Sequence, residues 1–384
     1  MKETAMIREP SPLLVDENQV PLDGSDTSND VPIDEPYDST IVRVETKNTQ
    51  MSTMIKRIKN NEINLTPDFQ RLGGIWPKVA KSRLIESMLI KIPLPAFYMD
   101  ASDEDNWLVV DGLQRLSTIK EFVVDNKLEL SQLEFLTKYN GHKFNELPRN
   151  FQRRIEETDI VLYLIQPGTP ARVKFDIFRR INTGGESLSS QEIRHALNQG
   201  PVTKYLHDLA DSEEFDEATD GGVSPKRMDD RECVLRFLAF TLFNPDDYNN
   251  DSFDRFLNEA MAALNQEEKA ELKRYESLFK QSMTCAIKIF DRNAFRKSYP
   301  GISYRYPVNK ALFEAWSVNL GKLDVTEQRE LVARSENLKQ KFAEMMLQDK
   351  EFETSVSQGT GSIRRVKYRF SQIARIIVET LEND

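Results

Sequence analysis

The sequence predicts an α+β protein, with a small α/β domain over residues 39–200 followed by a mainly helical domain over 201–384. Three observations lead there. Between Thr40 and Gln199 short apolar runs alternate with segments of helical period. Beyond Gln199 the apolar spacing is helical almost throughout. Residues 1–38 are rich in Asp, Glu, Pro and Ser and poor in aromatics, which marks an acidic disordered arm.

In order, Thr40–Glu45 alternates like a strand, and 50–60 reads as a short helix. The stretch Leu65–Pro77 is a loop by its Pro and Gly content, yet it carries Gln70, Arg71 and Trp76. A helix over Val79–Ile90 leads through Ile92-Pro-Leu-Pro into a strand at Ala96–Met99. A second apolar strand spans Leu108–Val110, and short strands are expected at 127–130 and 138–144. Pro148–Glu156 is a charged helix, Asp159–Gln166 a strongly apolar strand, and 171–181 a helix. Asn182-Thr-Gly-Gly stops that helix, and Ser189 or Ser190 with Glu192 starts the next like a capping box. Residues 211–230 read as a polar linker, followed by helices near 229–243, 252–264, 267–292, 308–320, 326–349 and 363–382.

The stretch that concentrates chemistry is 107–123. Its strand ends at Asp111-Gly112, where Asp is a good N-cap and Gly tolerates unusual backbone angles. The helix after it places Leu113, Leu116, Ile119, Phe122 and Val123 on one face and Gln114, Arg115 and Thr118 on the other. A helix N-terminus attracts anions, and a guanidinium there can grip phosphate with two bonds. The same residues equally make an ordinary strand, turn and helix in which Asp111 caps and Arg115 pairs with a carboxylate. The final helix follows Ser357-Gln-Gly-Thr-Gly-Ser and carries Arg364, Arg365, Lys367 and Arg369. It is either a second phosphate site, for nucleotide or nucleic-acid backbone, or a solvated basic face.

Gln70-Arg71, Trp76-Pro77, Leu84-Ile85-Glu86-Ser87, Ile92-Pro93-Leu94-Pro95 and Val110-Asp111-Gly112-Leu113-Gln114-Arg115 occur in one order with compact spacing. That series resembles the N-terminal domain of the GmrSD type of restriction endonuclease and, more distantly, ParB and sulfiredoxin. The resemblance implies a ParB/sulfiredoxin-like fold for the first domain. It also implies a nucleoside triphosphate ligand, with Mg2+ as an accompanying option. Asp111, Gln114 and Arg115 would then be catalytic, while Gln70, Arg71, Gly112, Asn182, Gly184 and Gly185 would hold the nucleotide. The usual box of the family is Asp-Gly-Gln-Gln-Arg, and here Leu113 replaces the first Gln. Arg364, Arg365 and Lys367 would contact nucleic acid.

Composition narrows the reading. A formal net charge of −10 argues against a generally basic nucleic-acid coat but leaves room for a local basic groove. The two cysteines, Cys233 and Cys285, lie inside helical patterns and read as buried thiols, which suits a cytoplasmic location. No apolar run reaches the ~18–20 residues of a membrane helix. The three histidines, His142, His195 and His207, have no metal-ligand spacing, so neither a metal site nor a His-Asn-His nuclease centre is expected. The favoured function is a nucleotide-binding, nucleotide-hydrolysing component of a DNA-directed restriction or phage-defence system, with DNA and a partner nuclease protein as partners. The alternatives are a non-catalytic nucleotide- or DNA-binding switch module and, more weakly, a nuclease or nickase. The oligomeric state is not set by the sequence. Deleting residues 1–38 should leave the melting temperature nearly unchanged, as thermal unfolding of the truncated chain will show; a drop of many degrees would mean that the arm packs on the body.

Overall fold

A computed structural model describes residues 41–65, 76–181, 188–250 and 252–382. These form two compact units. One ends at Thr203 and takes back Lys226–Met228; the other holds Lys204–Pro225 and the chain from Asp229 onward.

The first unit is built on a mixed five-stranded sheet. Its strands are β1 (Val44–Gln50), β2 (Ile63–Asn64), β3 (Phe97–Asp100), β4 (Trp107–Asp111) and β5 (Asp159–Ile165), in the order β1-β5-β3-β4-β2. β1 runs antiparallel to β5, and β4 antiparallel to β3, while β5–β3 and β4–β2 are parallel. Side chains alternate across a strand. Phe97 and Met99 of β3 therefore enter one core, with Ile85, Met88, Leu116 and Phe122. Tyr98 turns to the opposite face, where Val110 and Ile165 meet Phe175 and Phe178. Helices α1 (Met51–Lys59), α2 (Lys78–Leu89), α3 (Leu113–Ile119) and α4 (Arg149–Glu156) belong to the first face or its rim. Helices α5 (Ala171–Ile181) and α6 (Ser190–Leu197) belong to the second. The Ser189–Glu192 capping box forms as the sequence indicates.

Two expectations fail in this unit. β1 begins at Val44 rather than Thr40, because pairing with β5 starts at Val44 opposite Ile165. There Arg43 turns away to bond Thr169 Oγ1 through its amide at 3.3 Å. The strands expected at 127–130 and 138–144 are absent. Leu128, Leu130 and Leu133 do point inward, but the amides that follow are satisfied by α2 rather than by a neighbouring strand. The Glu86 carboxylate accepts from Glu134, Phe135 and Leu136 at 2.8–2.9 Å, and Ser82 Oγ accepts from the Ser131 amide at 2.9 Å. Burial raises the Glu86 pKa, but the three amides and Arg83 outweigh it and leave the carboxyl below its ordinary value.

The second unit is helical. It holds most of α7 (Pro201–Ala210), then α8 (Glu213–Thr219), α9 (Asp229–Leu242), α10 (Phe253–Leu264), α11 (Lys269–Phe290) and α12 (Lys310–Gly321). It ends with α13 (Val325–Ala333), α14 (Ser335–Gln348), α15 (Lys350–Ser357) and α16 (Ile363–Glu382). The linker expected at 211–230 is largely helical, since Phe215 and Ala218 of α8 are buried and outweigh the polar composition. The single helix expected at 326–349 is two, broken at Arg334, whose guanidinium caps α16 through the Thr380 and Leu381 carbonyls. Asp349 starts α15, which the sequence reading did not separate, by accepting from the Glu351 and Phe352 amides. Cys233 and Cys285 are buried thiols whose pKa values burial pushes up, that of Cys285 to about 11. None of the helices among the described residues is long and apolar enough to cross a membrane.

This unit encloses charge. Glu314 is fully buried and accepts from Arg236 at 3.0 Å and from Arg369 Nε at 3.0 Å. Arg369 also donates to the Ser355 and Thr360 carbonyls. Lys310 adds contacts to Asp229 at 2.7 Å and Glu232 at 3.2 Å. Removing one partner from such a set strands the others in a low dielectric. Glu314→Ala should therefore cost about 3–5 kcal/mol, read from urea unfolding. A loss below about 1 kcal/mol would mean that water reaches the two guanidiniums.

With Glu86 the sign runs the other way from a buried neutral acid. Its folded pKa lies below the unfolded one, so its contribution is present above the unfolded value and fades as pH falls through the folded one. Glu86→Gln should lower stability at neutral pH by about 1–3 kcal/mol and converge with the parent under acid, a comparison that denaturant midpoints at several pH values provide. A gap that persists unchanged at low pH would contradict this.

Candidate functional site at the β4–α3 turn

The turn between β4 and α3 is set by Gly112. Its φ is 102°, a region that side-chain-bearing residues rarely adopt, and a Cβ there would lie 2.4 Å from Phe97 Cδ1. Gly112, not Asp111, holds the N-cap position, and no side chain caps α3. The expected Asp111 cap is thus corrected. Asp111 still pairs with Tyr98 as the last residue of β4, and its carboxylate reaches Arg115 instead.

Arg115 lies inside the fold, at 8% exposure. Its Nη1 donates to the Pro95 carbonyl, and its Nη2 to the Ala96 carbonyl at 3.0 Å and Asp111 Oδ2 at 2.9 Å. The guanidinium also sits over the Phe97 ring, 4.3 Å from its centroid. Burial pulls its pKa below the ordinary value and Asp111 only partly offsets that. Thr118 is fully buried, its hydroxyl donating to the Gln114 carbonyl at 2.7 Å. Of the polar face expected from Gln114, Arg115 and Thr118, only Gln114 therefore meets solvent. The reason is packing: a seven-residue helix next to the sheet has little surface left for water. The apolar set holds, with Leu113, Leu116, Ile119, Phe122 and Val123 all buried.

Two polar groups of the box remain half-exposed. Asp111 keeps 38% of its side-chain surface, and its Oδ1 makes no hydrogen bond among the described residues. Gln114 is the other, its Oε1 accepting from the Trp76 amide at 3.3 Å. The structure thus joins Asp111, Gly112, Gln114 and Arg115 in one turn. Gln70, Arg71, Asn182, Gly184 and Gly185 lie outside the described residues. The sequence reading missed Phe97, Pro95 and Ala96 as partners of the box. A signal was present, because Pro93 and Pro95 lack amides, and the carbonyls of such a segment need donors from elsewhere.

Arg364, Arg365 and Lys367 lie in the first two turns of α16. Arg364 bonds Glu351 at 2.7 Å with 82% of its side chain exposed, and Arg365 donates to the Gln358 carbonyl. Lys367 is half-buried. Arg369, counted on this basic face by the sequence reading, is instead fully buried against Glu314, because the helix turns that residue inward with Val366, Phe370 and Ile373.

A mixed sheet with helices on both faces and a glycine-kinked strand-to-helix turn defines a small α/β domain whose distinguishing residues gather at that turn. Residues 51–198, which include it, match the family described as GmrSD restriction endonuclease, N-terminal domain. The resemblance seen in the box is thereby shown for this segment. No curated protein matches the chain.

Two substitutions separate the parts of the turn. Gly112→Ala should destabilise by about 1–3 kcal/mol from the backbone angle alone, with a similar addition from the displaced Phe97 ring. Arg115→Lys should cost about 1–3 kcal/mol, since an ammonium cannot serve two carbonyls and a carboxylate in one plane. Denaturant unfolding measures both, and parent-like midpoints would show that the turn is looser than its geometry.

Proposed function

We propose that the domain at 51–198 binds a nucleoside triphosphate with Mg2+ and hydrolyses it, as the nucleotide-using part of a DNA-directed restriction or phage-defence system. A partner nuclease chain would supply the cutting. The family match carries the DNA-directed context. The half-exposed Asp111 carboxylate at the glycine turn carries the nucleotide reading.

Mg2+ is commonly held by one or two carboxylates together with substrate phosphates and waters. Asp111 fits that need, because Arg115 fixes one of its oxygens and leaves the other for a cation or a water. Among the described residues no group of three or more His, Cys, Asp or Glu gathers to hold a metal, so the phosphates themselves would complete the shell. When bound, Mg2+ would neutralise charge developing on the transferred phosphoryl group. Arg115 acts as a positioning residue that fixes the carboxylate, and Gln114 orients beside it. By the resemblance, Gln70, Arg71, Asn182, Gly184 and Gly185 take the remaining phosphate contacts. Arg364, Arg365 and Lys367 are assigned to DNA phosphates, with Arg364 the most exposed.

One observation favours the second reading, a binding switch without chemistry. Arg115 is committed to Pro95, Ala96 and Asp111, so the described part of the box offers a carboxylate and an amide but no cation turned outward. Calorimetry with the four ribonucleoside triphosphates and Mg2+, alongside phosphate release with and without DNA, tests both. Asp111→Asn keeps an oxygen for Arg115 but removes its counter-charge, so it should cost about 1–3 kcal/mol of stability while staying folded, as a urea melt checks first. It should lose about tenfold or more in Mg2+-dependent nucleotide binding or turnover. Binding without phosphate release selects the nucleotide switch, and a parent that binds no nucleotide rules out the enzyme and leaves a DNA-binding module.

A further inference from the structure

The sheet of the first unit has two edges, and they are guarded unequally. β2 closes one side with only two residues. β1 closes the other with seven, and six of those seven are exposed. An edge strand carries unpaired amides and carbonyls, which proteins blunt by shortness, proline, a bulge or a charge. β1 has no proline, and its register against β5 runs without a shift.

The two ends of the ladder identify the open groups. The Gln166 amide donates to the Arg43 carbonyl at 2.9 Å, and the Met51 amide to the Thr158 carbonyl at 2.9 Å. Backbone groups alternate sides along a strand, so the odd-numbered residues of β1 bond β5. Val44, Thr46 and Asn48 turn their amides and carbonyls outward, and among the described residues nothing bonds those groups. Glu45 and Lys47 stand between them and share one face. The Glu45 carboxylate accepts from the neutral Gln166 side-chain amide at 2.7 Å and meets no cation among the described residues. The exposed Lys47 ammonium makes no ion pair or hydrogen bond among them.

We infer that the β1 edge docks a second copy of this chain, with β1 pairing antiparallel to its own counterpart about a two-fold axis at Thr46. Strand addition at a free edge is a general mode of recognition. In this register Val44 lies opposite Asn48 of the second copy, and Glu45 opposite Lys47 of the second copy. The outward groups of Val44, Thr46 and Asn48 bond across the axis. The charge pairs fall at the positions without backbone bonds, where facing side chains approach most closely. A two-fold contact is self-complementary, so both pairs form at once. Moving the axis to Glu45 or to Lys47 would oppose like charges, which destabilises strand pairing, and only the register at Thr46 matches acid to base. The strip is narrow, so the dimer forms with rising concentration rather than permanently. Nothing in this inference uses the β4–α3 turn or a nucleotide.

Sedimentation velocity of the full chain over a wide concentration range, without nucleotide and at low and high salt, tests it. The parent should pass from monomer to dimer as concentration rises, and salt should weaken the dimer. Lys47→Glu and Glu45→Lys should each weaken it about tenfold or more, as two attractive pairs become two repulsive ones. Combining Glu45→Lys with Lys47→Glu keeps the net charge and should restore the dimer. Thr46→Pro removes an outward amide but no bond to β5, so it should stay folded by thermal melting and lose the dimer. A parent that stays monomeric throughout would overturn the inference. So would single variants that dimerise like the parent or more tightly, the mark of a lysine that merely guards the edge, or a charge-swapped chain that stays weak. None of these results would touch the nucleotide reading of the first unit.

Discussion

The first unit depends on the buried guanidinium of Arg115. A charged group in the interior must be paired and hydrogen-bonded, and this one is met by two carbonyls, a carboxylate and an aromatic face. Those partners come from the segment entering β3, from the end of β4 and from β3 itself. One side chain thus ties a proline-rich entry, a strand end and a helix start together. Gly112 makes this closure sterically possible, because Phe97 occupies the space where a side chain would stand. The functional consequence follows from the same bonds. Arg115 directs its donors to the fold, so the charged group left half-exposed at the turn is the Asp111 carboxylate that it fixes.

The helical unit solves a related problem on a larger scale. Arg236, Arg369 and Lys310 interleave with Glu314, Glu232 and Asp229 among α9, α12 and α16. Opposite charges in equal number offset each other where water is scarce. Arg369 reaches further, to the Thr360 carbonyl in the loop before α16. That loop and its basic helix are therefore shaped from the inside, by a cation facing the core rather than by those facing solvent. Arg296 uses the same device, since its buried guanidinium ties the Tyr306 carbonyl of an exposed loop to the Thr219 carbonyl.

Much of the fold was legible in the sequence because apolar periodicity reports directly on burial. The strand at Trp107–Asp111, the helix at Lys78–Leu89 and the final helix at Ile363–Glu382 all emerge from it. It misled where alternation served another purpose. Leu128 and Leu130 alternate like a strand, but only Leu130 exchanges backbone bonds with the segment at 138–144, at Gly141 and His142, and the chain between them turns to Glu86 of α2, which accepts from the amides of 134–136. At the box, the sequence drew attention to Asp111, Gly112, Gln114 and Arg115 but not to what each one touches. A guanidinium one turn into a helix looks alike whether it faces a phosphate or a carbonyl. Choosing between them requires the position of Pro95 and Ala96, which local sequence does not report. Arg369 was misplaced for the same reason, as its partner Glu314 lies 55 residues away.

The division of labour between Arg115 and Asp111 is tested most directly at the Arg115 side chain itself. Nitrogen-detected NMR of the guanidinium, recorded without ligand and during titration with nucleoside triphosphate and Mg2+, reads its solvent exchange and its surroundings. The expected result is proton exchange that is slow in the free protein and stays slow throughout, since Mg2+ at Asp111 moves the resonance without freeing the guanidinium. Rapid exchange in the free protein, or a saturable movement of the Arg115 signal with nucleotide in the absence of Mg2+, would show that the guanidinium is a phosphate ligand and not a strut.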